Sequence, residues 1–448
     1  MGGYKNHALA ELIAESGRTR AAIARQVVHM GQTEHGVRFC YDYRSIGRWL
    51  QGAVPEPPAP DVLAMVFRRL LNRQITVQDL GFDHGDMTQR SLIFPTSPAI
   101  SVDAATELWR ATVERRRFLQ GSTFASIFAV EAAIDWRDLP DSAPLTKTGG
   151  TLQVTTADVA RLHQAYGEFA RLDHLHGGGY ALNWLQQYLD AEVTPLLRGR
   201  YTDPVGRDLF QAAATLTDMA GWMAMDAGSQ GLAQRNYTQA AALARHAGDT
   251  AYSAYTIGNL ATQALLVGQA RTAVRLARTA RNGGGRAVTA TLAARILTTE
   301  ARAHALGGDK HETYRALRLA DQAMAQANPS DDPNWLGTFS PAHYAGSVMH
   351  ALRDLGDYGA AERHAVAAMN LPSANIRTRA LHAVLHASVL TGHGDLDGAV
   401  EIAAKARRAA HDLKSQRLNL RLRELHDRLA AHRGQRVVAD YLEGSNTL

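Results

Sequence analysis

Cysteine is almost absent: Cys40 stands alone in 448 residues, which excludes an internal disulfide framework and any cysteine-built zinc site. Lysine is nearly as scarce. It is confined to Lys5, Lys147, Lys310, Lys405 and Lys414, so the 48 basic residues are overwhelmingly arginine. With so much alanine, that bias reads as GC-rich bacterial coding, although arginine also grips phosphate and guanine bidentately. No run of eighteen or more apolar residues occurs, which excludes an apolar membrane-spanning helix. The opening MGGYKNHALAELIAES holds one lysine and no apolar signal core, so a cytoplasmic location is expected. A net charge of +5 is small for this length and does not by itself announce nucleic acid.

What is present in quantity is a repeat. Five segments share a glycine, at Gly228, Gly268, Gly308, Gly356 and Gly394. Seven residues earlier lies Gly221, Ala261, Ala301, Met349 or Ala387, and five residues later Ala233, Ala273, Thr313, Ala361 or Ala399. Twelve residues later the residue is always alanine: Ala240, Ala280, Ala320, Ala368 and Ala406. Two antiparallel helices joined by a short turn pack closely only if the facing positions are small. The pattern therefore predicts five helical hairpins, and its offsets resemble the tetratricopeptide consensus. The segment 155–197 reads as two further helices around a glycine turn, and 327–341 as an ordered loop between repeats. The stretch from Ala403 to His432 reads as one charged helix that caps the end. Strand-like alternation is missing, so the class is all-α.

At the N-terminus, 7–16 carries apolar residues at helical spacing and ends at Gly17. Thr19 can cap the next helix, RAAIARQVV, and a loop then leads to YRSIGRWLQG, where Ile46, Trp49 and Leu50 face inward. PEPPAP stops that helix before DVLAMVFRRLLN. The small-residue helix RAAIARQV, and SIGRWLQGAVPEP with its tryptophan, glycine and proline exit, resemble the lambda-repressor-like (XRE/Cro-type) helix-turn-helix family. The blocks ERRRFLQGSTF, FARLDHLHGGGYALNWLQQYL and AGWMAMDAGSQGLAQRNYTQAAALARHAGD extend the resemblance to XRE-type actinobacterial regulators with tetratricopeptide arrays. The connection between the two helices departs from that family by being longer than its tight turn.

The resemblance implies a lambda-repressor-like helix-turn-helix DNA-binding domain over 1–82 and a linker with connecting helix over 83–150. A tetratricopeptide-like α-solenoid would fill 151–448. In that geometry the third helix lies in the major groove. Tyr43, Arg44, Ser45 and Arg48 then point outward toward DNA, and Thr19 and Arg20 are phosphate ligands. The alternative for each is a solvated face of a small bundle, and the same holds for the basic triplet at 115–117.

No catalytic motif, cofactor or metal site is expected. His382 and His386 stand four apart on a repeat helix without a completing ligand, His174 and His176 flank a glycine turn, and Asp331 and Asp332 read as loop solvation. Gly177–Gly179 precede a helix, where free amides can meet an anion, but a helix-linking turn is the simpler reading. Two functions remain. One is a DNA-binding transcriptional regulator, expected as a homodimer on double-stranded DNA. Its repeat groove, built from the first helix of each hairpin, takes a peptide, a small molecule or a protein partner. Tyr255, Asn259, Thr262, Arg295, His343 and Ser347 are the candidate lining. The other is a protein-interaction scaffold whose helix-turn-helix domain no longer binds DNA.

Overall fold

The computed structural model describes residues 4–34, 39–55, 59–73, 75, 77, 79–82, 91–114, 123–139 and 144–445. Every regular element among them is helical, and the only β-type pairings among them are isolated bridges at Lys147–Tyr201 and Gln153–Arg200. None of the described helices is long and apolar enough to cross a membrane. The chain divides into two compact units, Met1–Met87 with Ala125–Phe128, and Thr88–Phe124 with Ala129–Leu448.

In the small unit, α1 (His7–Glu15) begins at Asn6, whose Oδ1 accepts from the Leu9 amide at 3.0 Å. Its Nδ2 donates to the Leu80 carbonyl at 2.8 Å and so ties the start of the unit to its end. Thr19 caps α2 (Arg20–Glu34) by accepting from the Ala22 amide at 3.2 Å, as its sequence position predicts. That helix runs six residues beyond the predicted RAAIARQVV segment, into the first part of the expected loop. The helices α3 (Tyr43–Leu50) and α4 (Ala59–Leu71) complete the bundle. Leu9, Leu12, Ile23, Val27, Ile46, Trp49, Leu50 and Phe67 form its core. Of the proline-bearing exit, 56–58 lies outside the described residues.

The large unit starts earlier than the sequence division. The helix α5 (Pro98–Glu114) is no free connector, because Val102, Ala105, Leu108 and Trp109 are buried in the unit's main core. Ahead of it, the Ser91 carbonyl accepts from Gln239 Nε2 at 2.9 Å, so the latter part of the expected linker is anchored. The triplet 115–117 lies outside the described residues. After α6 (Ser126–Asp138) come α7 (Thr156–His176) and α8 (Gly178–Tyr188), the predicted pair around a glycine turn.

The five hairpins follow. The first is α9 (Asp203–Asp226) with α10 (Gln230–Ala247), and the second α11 (Thr250–Leu266) with α12 (Ala270–Gly284). The third is α13 (Ala290–Leu306) with α14 (Lys310–Ala325). In the fourth, α15 (Pro341–Leu355) is followed by a second arm broken into α16 (Tyr358–Glu362) and α17 (Ala365–Met369). The fifth is α18 (Ile376–His393) with α19 (Leu396–Ala410). All five turn glycines have positive φ, from 76° to 93°, a backbone region in which any other L-residue is strained. Every residue at the three aligned offsets is buried, which is why all of them but Met349 are small.

Gly221 shows the cost of size at such a position. A Cβ there would stand 2.6 Å from Cε1 of the fully buried Tyr237 on the partner arm. Gly221→Ala is therefore expected to cost about 1–3 kcal/mol by overpacking, seen as a lower urea midpoint with an unchanged slope. A change below the resolution of that measurement would show that the ring yields freely.

The predicted single capping helix at the end is instead two helices, α19 and α20 (Gln416–Ala430), followed by α21 (Arg436–Ser445). Ser415 causes the break: its Oγ accepts from the Leu418 amide at 3.2 Å and starts a new helix. The helix α20 turns Arg417, Arg421 and Glu424 toward the interior of the unit.

Candidate functional site

Two places gather the residues singled out by the sequence. The first is the surface of α3. Asp42 caps this helix, accepting from the Arg44 and Ser45 amides at 2.9 and 3.0 Å, while Ser45 reaches back to the Asp42 amide. The Ser45 amide, with help from that of Arg44, holds the Asp42 carboxyl below the usual carboxylate range. Ser45 is only 3% exposed, so its expected outward placement is corrected: the capping box draws it in.

Tyr43, Arg44 and Arg48 do face solvent, with Tyr43 at 53% exposure. Arg44 lies over the Tyr43 ring, 5.7 Å from its centroid. Arg20 sits 5.3 Å over the Tyr4 ring, and its Nη1 comes within 3.9 Å of where a Cβ on Gly47 would stand. The three guanidiniums of Arg20, Arg44 and Arg48 thus border one face of α3, whose opposite face buries Ile46, Trp49 and Leu50.

The second place is a cavity of about 400 Å³ inside the large unit. Its wall comes from α7, from the first helix of every hairpin (α9, α11, α13, α15 and α18), and from α20. Tyr255, Thr262, Arg295, His343 and Ser347, predicted as groove residues, all line it. Asn259 does not. It is fully buried behind the wall, where Nδ2 donates to Asp218 Oδ1 at 2.8 Å and Oδ1 accepts from Arg295 Nη2 at 2.6 Å. Its expected contact role is corrected to that of a holder, since both amide groups are already used. The loop 327–341 is ordered as predicted. Asp332 accepts from Thr289 Oγ1 at 2.6 Å and also from Thr291, Trp335 meets Tyr252 edge to face and Tyr255 at a tilt, and Phe339 enters the cavity wall.

Much of the wall was not foreseen. Arg302, Arg353, Arg377, Arg417 and Arg421 line the cavity, along with Asp173, Asp218, Glu424, Trp222, His350 and His382. Arg377 makes a bidentate pair with Asp173 at 3.0 and 2.7 Å and stands 3.5 Å from Asp226. Asp226 also takes Arg417 at 3.1 Å, Ser415 at 2.8 Å and the Gly178 amide at 2.9 Å. These bonds join α7 to α18 and α9 to α20, so the start and end of the hairpin series close on each other around the cavity. The glycine run makes this closure possible. A Cβ on Gly178 would meet the Met223 backbone at 2.7 Å, and the Gly179 amide donates to the Lys414 carbonyl at 2.9 Å. The anion that meets the Gly178 amide is therefore the protein's own Asp226, and the Gly179 amide is taken by a backbone carbonyl.

Burial dominates the electrostatics. It pushes Asp218 up to about 7, against the hydrogen bond from Asn259 and the charge of Arg295. Burial, then His382, His174 and Arg295, take His343 down to about 4, and His350 falls well below its ordinary value. Burial would raise Glu424, but Arg353 and Arg421 outweigh it and hold the carboxyl at about 2. His382 points Nδ1 at the Ala368 carbonyl, 2.7 Å away. Among the described residues no cluster of three or more His, Cys, Asp or Glu side chains is placed to hold a metal.

Residues 9–83, the stretch that carries α1 to α4, match the family model described as SP15 N-terminal domain. The chain matches no curated protein.

Proposed function

We propose that the protein is a cytoplasmic, DNA-binding transcriptional regulator of the XRE/Cro-type. In this reading α2 and α3 form a helix-turn-helix, the hairpins form a tetratricopeptide-like solenoid, and the solenoid senses a ligand. The observation that carries the reading is the α3 surface: a capped eight-residue helix with one face buried and Tyr43, Arg44 and Arg48 free for contact on the other. A short helix of this kind enters the major groove, and exposed arginines take guanine there. Arg20, at the α2 N-terminus beside it, is positioned for a phosphate. A homodimer would present two such helices to paired half-sites.

The test is a selection from fragmented genomic DNA followed by anisotropy titration of the recovered sequence. Arg44→Ala with Arg48→Ala is expected to weaken binding at least about 30-fold, two lost base contacts of about 1 kcal/mol or more each. A parent chain that selects no sequence, or a double variant that binds equally well, overturns the reading.

One observation favours the scaffold alternative: eight residues separate Glu34 from Tyr43, longer than the three or four of a helix-turn-helix turn. A parent chain without DNA affinity that instead holds a protein partner through the large unit would decide for it.

A further inference from the structure

Six arginines line the cavity, against three lining carboxylates, with Asp226 and Asp354 just behind. Five of those arginines are already paired. Arg302 meets Asp354 at 2.9 Å, Arg353 and Arg421 share Glu424, Arg377 holds Asp173, and Arg417 holds Asp226. Arg295 differs. Among the described residues no carboxylate pairs with it. Nη2 donates to the neutral Asn259 amide oxygen, and Nη1 is buried with no hydrogen-bond partner. Its guanidinium is held over the Tyr255 ring, 4.3 Å from the centroid, so its place is set before anything binds. A buried donor without an acceptor is costly, and more so for a charged group. An anion in the cavity would remove that cost. In the part of the wall supplied by α18, the Ser388 Oγ is likewise buried and unpartnered.

Histidines, threonines and serines fill part of the remaining wall, and the other part is apolar and aromatic, with Met219, Trp222, Leu266, Leu381 and Leu385 among it. A volume of about 400 Å³ lies at the small end of the range for drug-sized ligands, about 300–1,000 Å³. That excludes a long peptide or a nucleic acid as occupant. We propose that the cavity binds a small amphipathic acid, its single carboxylate or phosphate paired with Arg295 and its apolar body against Trp222 and the leucines. The proposal deepens the sensory reading of the hairpin unit and rests on it, but it does not depend on α3.

The test uses the full chain without DNA and two fluorescent probes that differ by one charged group. These are 8-anilinonaphthalene-1-sulfonate and its uncharged analogue N-phenyl-1-naphthylamine. The sulfonate is expected to bind once per chain and at least tenfold more tightly than the neutral probe. Decanoate and decyl phosphate are expected to displace it, and whichever does so at lower concentration identifies the head group. Arg295→Gln is expected to bring the two probes to within about twofold of each other, and Arg295→Lys to keep most of the preference. If Arg295→Gln does not fold, the comparison in the parent chain decides alone. Equal affinity for the two probes, a preference that survives Arg295→Gln, or no saturable binding overturns the proposal. Saturable sulfonate binding by a chain that selects no DNA would sink the regulator reading and leave this one standing. The converse pair of results would do the reverse.

Discussion

Arg377→Ala is expected to cost the large unit about 3–5 kcal/mol of unfolding free energy, the range for removing one partner of a buried ion pair. The side chains of Arg377 and Asp173 are 8% and 10% exposed, and that of Asp226 is fully buried. Truncation therefore leaves two carboxylates in the interior, with only Arg417 nearby to balance them. The loss is greater than packing alone because this pair joins α7 to α18, 204 residues apart in sequence. Urea unfolding followed by circular dichroism checks it. Arg377→Ala combined with Asp173→Asn should recover part of the loss, since residues in contact are coupled. A cost below about 1 kcal/mol would mean that closure is held by other contacts.

The same substitution should move the acid limb. Burial works to raise Asp226, but Arg377 and Arg417 outweigh it and leave its pKa below the usual carboxylate value. A depressed carboxylate contributes stability above its unfolded pKa and loses it as pH falls through the folded one. Without Arg377 the depression shrinks, so acid unfolding should begin at a higher pH than in the parent chain.

The hairpins were legible because their constraint is local and repeated. A glycine with positive φ and small residues at fixed offsets from it write each turn into the sequence, and Ala240 to Ala406 recur without exception. Five cavity residues were legible for the same reason, since the first helix of each arm supplies the wall. The closure was not. Nothing near Asp173 in sequence indicates Arg377, and a guanidinium on an alanine-rich helix reads as a solvated face. Arg302, Arg353, Arg417 and Arg421 were hidden in the same way, the last two on a stretch that reads as a charged end cap. Ser45 was misplaced because helical spacing put it outward, whereas the capping box with Asp42 pulls it in. Asn259 and Arg295 were both picked out as polar residues on first helices, yet only their hydrogen bond distinguishes the holder from the free donor.

Asp218→Asn is expected to stabilise the protein by about 2–4 kcal/mol at pH 8 relative to its effect at pH 4. Burial holds this carboxyl at about 7 rather than 3.8, and each pKa unit corresponds to about 1.4 kcal/mol. A carboxyl whose folded pKa is raised gives its full contribution below the unfolded value and loses it as pH rises through the folded one. The window therefore runs from about pH 4 to about pH 7. Asparagine keeps the acceptor for Asn259 Nδ2, which donates at 2.8 Å, and carries no charge to desolvate. The carboxyl faces Arg295, Tyr252 and Thr256, and its charge also raises Tyr166, Tyr237 and Tyr255. Because those groups are common to both chains, the difference in unfolding free energy between parent and variant, measured across this window, isolates Asp218. A difference that stays flat with pH would show that the carboxyl titrates normally. Removing the charge also leaves Arg295 less compensated, so the anionic probe should bind several-fold more tightly to Asp218→Asn at pH 8, and by a smaller factor at pH 5, where the parent carboxyl is already protonated.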